Sequence, residues 1–159
     1  MAALIEWFDN QFAELSSGWR LLVQGIAPEH LYQPLANRSS PGECVVRSAG
    51  VVEQTFGGIN SSLWDDPFEW TLPETLNTSE KLLQYFDEVE ATRRQAFARF
   101  SADEALLKRI MTPSGETQLL TLLLDTLVRA GHYHLDAKQA VAELNRHQFA
   151  AQAQSENLG

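Results

Sequence analysis

The cluster His132-Tyr133-His134 is where this chain's residue types could first do chemistry. Imidazoles serve as general bases and are the commonest metal ligands. Two histidines hold one ion well when they stand four apart on a helix and share a face. Here they stand two apart, and at roughly 3.6 residues per turn about 200° of rotation divides them. His132 then shares a side with Asp125, Val128, Arg129 and Asp136, a polar face. His134 shares one with Leu120, Leu127, Gly131 and Val141, which reads as the core face. The expectation is a surface His132 and an inward His134. A metal at His134 would need further donors. Glu53, Glu43 and, through a local break in the helix, His132 are the candidates, with His30 and His147 beyond them.

Other catalytic constellations are missing. No serine sits on a nucleophile-type turn, and Gly57-Gly58 and Gly115 are isolated rather than part of a phosphate loop or dinucleotide fingerprint. The Glu-x-x-His signature of di-iron bundles is absent. Asp87, Glu88 and Glu90 interleave with Arg93 and Arg94, so they read as an ion-paired surface. The single cysteine, Cys44, lies in an apolar stretch and reads as buried filler, which fits a reducing cytoplasm. A net charge of −9 argues against nucleic acid, whose phosphates need clustered Lys and Arg. Arg93, Arg94 and Arg99 read as a solvated face. The N-terminus shows no secretory leader, and the leucine-rich stretch 119–128 is broken by Thr121, Asp125 and Thr126, so no membrane span is expected.

Four helices would have to position these residues. The first carries Leu4, Phe8, Phe12, Leu15, Trp19 and Leu22 at three- and four-residue steps and ends near Gly25. The second opens on the capping box Ser40-Pro41-Gly42-Glu43 and carries the stripe Val45, Ala49, Val52, Phe56, Ile59 and Leu63, with Gly57-Gly58 predicting a kink or a close contact. A long loop with Trp64, Phe68, Trp70 and two prolines follows, its aromatics expected against the helices. The third helix starts at Asn77-Thr78-Ser79-Glu80 and runs to Phe100. A short extra helix is predicted from Ser101-Ala102-Asp103-Glu104 to about Ile110. Thr112-Pro113-Ser114-Gly115 then turns into the last helix, near 116–147, with Leu120, Leu124, Leu127, Gly131, His134, Lys138 and Val141 on one side. No stretch alternates like a strand. The expected architecture is all-α, a four-helix bundle filling 1–148 with a polar, fraying tail at 149–159.

With these parts in place the chain resembles the DinB/YfiT-like four-helix-bundle family. The resemblance spans nearly the whole chain. It rests on Ser40–Glu43, Asp66–Pro73, Leu82–Phe100 and a Gly115-led last helix ending in Tyr133-His134. The family implies a divalent metal, zinc or nickel, held by one histidine on the second helix and a His-x-x-x-His pair on the last. The aligned positions are Arg47, Ala130 and His134, so one ligand of three survives. A guanidinium cannot ligate a metal. Arg47 instead suggests a pocket whose cation is the arginine and whose ligand is a small organic anion, such as a carboxylate or phosphate.

The resulting expectation is a cytoplasmic, metal-free or non-catalytic bundle that binds a small ligand and forms a homodimer through its first and last helices. The alternative is a metal-dependent thiol S-transferase, isomerase or hydrolase built around His134. The family's name points to stress inducibility, not DNA contact.

Overall fold

The computed structural model describes residues 2–70 and 74–159, with the side chains of all but 69 and 70. Four long helices carry most of the chain: α1 (Ala3–Gln24), α2 (Pro41–Ser61), α4 (Ser79–Phe97) and α5 (Leu119–Glu156). Between α2 and α4 lies a single turn, α3 (Pro67–Trp70). No described helix is long and apolar enough to cross a membrane.

Helix α2 begins where its capping box predicts. The Ser40 hydroxyl accepts from the Glu43 amide and the Glu43 carboxylate accepts from the Ser40 amide. Helix α4 is capped by Thr78, which accepts from the Lys81 amide, rather than by Asn77. The helices enclose one core. Phe8, Phe12, Trp19 and Val23 of α1 meet Val45, Ala49, Val52 and Phe56 of α2 and Leu82, Phe86 and Val89 of α4. Gly57-Gly58 does not break α2. Glycine is needed there because the Trp64 ring lies where a Gly58 Cβ would stand, 2.2 Å from the nearest ring atom. The expected packing of Trp70 falls outside the described side chains.

Three expectations are corrected. The segment after α4 is not an α-helix ending at Ile110. Asp103–Leu107 forms a 3₁₀ turn, followed by an antiparallel hairpin of β1 (Arg109–Thr112) and β2 (Gly115–Gln118). Its strands are too short to show alternation, and Gly115 holds the turn at a φ of 117° that other residues rarely adopt. The capping box expected to open at Ser101 does not form, and no side chain caps the turn that starts at Asp103. The Asp103 carboxylate accepts from the Leu4 and Ile5 amides, at 3.1 and 3.0 Å, and so caps α1.

The last helix does not end near 147. Helix α5 continues to Glu156, its last turns wholly exposed and rich in helix-favouring alanine. The inward face of α5 is also turned from the leucine stripe. Buried there are Leu119, Leu123, Thr126, Ala130, Ala137, Ala140 and Leu144. Leu124 and Lys138 are exposed. Alanines win the core positions because α2 lies close against α5, and large side chains would hold it off.

Candidate functional site

His134 lies on the flank of α5 that faces α1. Its imidazole rests against Gly18, and a Cβ at Gly18 would come within 2.5 Å of the ring's Cε1 and 2.8 Å of Nε2. That glycine is the reason the ring can lie there. Together they form the floor of a groove of about 800 Å3 between α1 and α5, with Leu21, Leu22 and Val141 as apolar wall and Lys138 and Glu14 at the rim. The groove continues toward Trp7, Leu124 and Val128, where Glu14 and His134 line it again.

The electrostatics disfavour the charged form of the ring. Burial lowers the His134 pKa, the Lys138 ammonium lowers it further, and the Gly18 backbone pulls the other way. Nε2 is buried and has no hydrogen-bond partner. A neutral imidazole with an unpaired nitrogen can give or take one hydrogen bond from a ligand, and an ammonium stands beside it.

The other sequence candidates lie elsewhere. Arg47 projects from α2 toward α3, its guanidinium 3.8 Å over the Phe68 ring. The charged group that acts on His134 is Lys138, while Arg47 acts on the Cys44 thiol. The structure thus seats Arg47 against α3 and His134 against α1. Ala130, the other aligned ligand position, is fully buried against α2, where its carbonyl accepts from the Ser48 hydroxyl at 2.6 Å. Glu43 is spent on the capping box, and His132 is exposed. His30 pairs with Gln148, and His147 approaches Glu143.

Glu53 stands between α2 and α4. One carboxylate oxygen accepts from the Thr92 hydroxyl and the other is buried without a partner. Burial raises its pKa, the Thr92 bond opposes that, and Glu88 adds to it. Burial pushes the Cys44 thiol up to about 11, which leaves it inert as a nucleophile. Arg93 is not on a solvated face. It is buried and paired with Asp9 of α1. Arg20 reaches Asp87 at 2.7 Å and Glu90 at 3.4 Å, so two of the three clustered acids are ion-paired.

The metal that the resemblance implies does not fit this chain's residues. Its three aligned positions carry a guanidinium, a methyl group and one imidazole, and they face α3, α2 and α1 respectively. Among the described residues no three His, Cys, Asp or Glu side chains come together as a metal-holding group. Compared with protein families, with curated proteins and with solved structures, the chain matches none. Two groove residues escaped the sequence reading of the site. Lys138 stands on the His134 stripe, where its residue type alone marks no role. Gly18 carried one weak signal: a glycine costs a helix interior about 1 kcal/mol and needs a reason.

Proposed function

We propose that this protein is a metal-free four-helix bundle of the DinB/YfiT-like type. In this reading it binds a small amphipathic anion, such as a fatty carboxylate, in the α1–α5 groove. The observation that carries the reading is the buried, unpartnered Nε2 of His134 beside Lys138 at the groove floor. A carboxylate placed there accepts from the Lys138 ammonium and, once the ring turns its buried Nε2–H into the groove, from the neutral His134 imidazole, while its alkyl tail lies on Leu21, Leu22 and Val141. Glu14 on the opposite rim repels the carboxylate and holds the head group to the α5 side. The recognition chemistry expected of Arg47 passes to Lys138.

The test is titration with hexanoate and octanoate, followed by amide chemical shifts and thermal unfolding. Saturable binding that weakens about tenfold in Lys138→Ala and in His134→Ala is expected, the loss of one charged hydrogen bond. No binding, or binding untouched by both substitutions, overturns the reading. Metal analysis of untagged protein distinguishes the thiol-transfer alternative. Stoichiometric zinc or nickel that disappears in His134→Ala would replace the anion site with a metal site.

A further inference from the structure

Buried polar atoms without partners concentrate between α2 and α4. Among the described residues three stand there: Glu53 Oε2 and Asn60 Oδ1 of α2, and the Tyr85 hydroxyl of α4. Leaving such atoms unpaired is costly, so each needs a reason. Thr92 ties two of them together. Its hydroxyl donates to Glu53 Oε1 at 3.2 Å, and its carbonyl accepts from the Asn60 amide at 2.9 Å. The Glu53 carboxylate is thereby held with one oxygen spent and the other buried and open.

Tyr85 is an independent signal. The residue is only 8% exposed, yet its hydroxyl meets no partner among the described residues. That hydroxyl lies 4.0 Å from the point a Gly50 Cβ would occupy, and the Phe68 amide nitrogen lies 3.9 Å from the same point. Helices α2, α3 and α4 therefore converge beside Gly50, and the Phe68 amide is already given to Asp66. The charges that act on the Tyr85 hydroxyl are the carboxylates of Glu53, Asp66 and Glu88, and with burial they hold it protonated. Asp66 and Glu88 are exposed and stand at the rim. The Arg47 guanidinium lies over the Phe68 ring and, among the described residues, forms no ion pair with these acids.

The space beside Gly50 thus offers acceptors and negative potential but is short of donors. A metal ion would need a third close ligand, and no three His, Cys, Asp or Glu side chains gather among the described residues. A primary ammonium supplies three N–H donors and one positive charge. We infer that the α2–α4 interface beside Gly50 binds a small primary alkylammonium. Glu53 Oε2 and the Tyr85 hydroxyl oxygen each accept one N–H, while Asp66 and Glu88 draw the cation in from the rim. This site shares no residue with the α1–α5 groove, so either can fail without the other.

Titration with propylammonium chloride at constant ionic strength, followed by amide chemical shifts, tests the inference. Tetramethylammonium, of equal charge but without an N–H, is the control. Propylammonium is expected to bind saturably, with its largest shifts in segments 50–54 and 85–92. Tetramethylammonium should bind at least about tenfold more weakly, since it can make no charged hydrogen bond. Glu53→Gln keeps the shape and removes the charge, and should weaken propylammonium about tenfold or more. Tyr85→Phe removes a hydroxyl without a partner, so the chain should fold as before and bind roughly three- to tenfold more weakly. Unchanged amide shifts away from the interface confirm that each variant is folded. No saturable binding, equal binding of the two cations, or affinity untouched by both substitutions overturns the inference and leaves the unpaired atoms to water.

Discussion

Gly18 and His134 share a space that only one of them can fill. Adding a methyl at Gly18 places it inside the imidazole, so the ring must swing outward and leave its site. Alanine also gains helix propensity of about 1 kcal/mol at an interior position. The two effects separate in a double-mutant cycle. Gly18→Ala should destabilise the wild-type protein by about 1–2 kcal/mol, within the usual cost of overpacking. In a His134→Ala background the same substitution should stabilise by about 1 kcal/mol. Urea unfolding of the four proteins measures this, and the absence of a sign reversal would show that the ring does not rest on Gly18. Burial and Lys138 both lower the His134 pKa. A histidine held below its unfolded value stabilises the fold least in acid. Its contribution is intact above about pH 6.5 and fades as pH falls toward the folded value.

Between α2 and α5 the contacts are close because two buried polar rungs replace bulk. In one, the Trp19 indole donates to Ser48 at 2.8 Å, and Ser48 donates to the Ala130 carbonyl. In the other, Thr55 and Thr126 share a hydrogen bond of 2.7 Å, and Thr126 bonds back to the Leu122 carbonyl. Ser48→Ala would strand the Trp19 N–H in the core. Such a loss costs about 1–3 kcal/mol, which lowers the melting temperature by roughly 2–10 °C for a chain of this size. Thermal unfolding checks it, and an unchanged midpoint would mean that water or a shifted indole satisfies the group.

These rungs also show what the sequence could and could not reveal. The capping box at Ser40, the Gly25 end of α1 and the aromatic stripes could be read because each depends on neighbours in sequence. The inward face of α5 could not. Hydrophobic size favoured the leucine stripe, but packing distance, a property of two helices, selected Ala130, Ala137 and Ala140. The hairpin was hidden by its length, and Asp103 by its partners being 99 and 98 residues away. At the site, helical geometry separated the directions of His132 and His134, but the stripe read as the core face is a flank: His132 is exposed and His134 half-buried. That geometry could not reveal Gly18, which belongs to another helix.

At the scale of the whole molecule, the side-by-side pairing of the first and last helices closes the packing that α2 makes against α4 and α5. That pairing joins stretches separated by most of the chain, and the Asp103 cap on α1 closes a similarly long loop. Contacts of this kind form late, because the entropy of loop closure is spent before they return any stabilisation. Helices α2, α4 and α5, nearer in sequence, would come together first, with α1 docking onto a partly assembled core. Kinetic measurements carry that consequence. A conservative truncation in α1, Phe12→Leu, should speed unfolding while leaving refolding nearly unchanged, whereas Leu123→Ala in α5 should slow refolding. If Phe12→Leu slows refolding as strongly, α1 belongs to the folding nucleus. Until α1 docks, the chain carries its fatty groove wall and its aromatic core uncovered together, so the slowest step of folding would also be the one most open to aggregation.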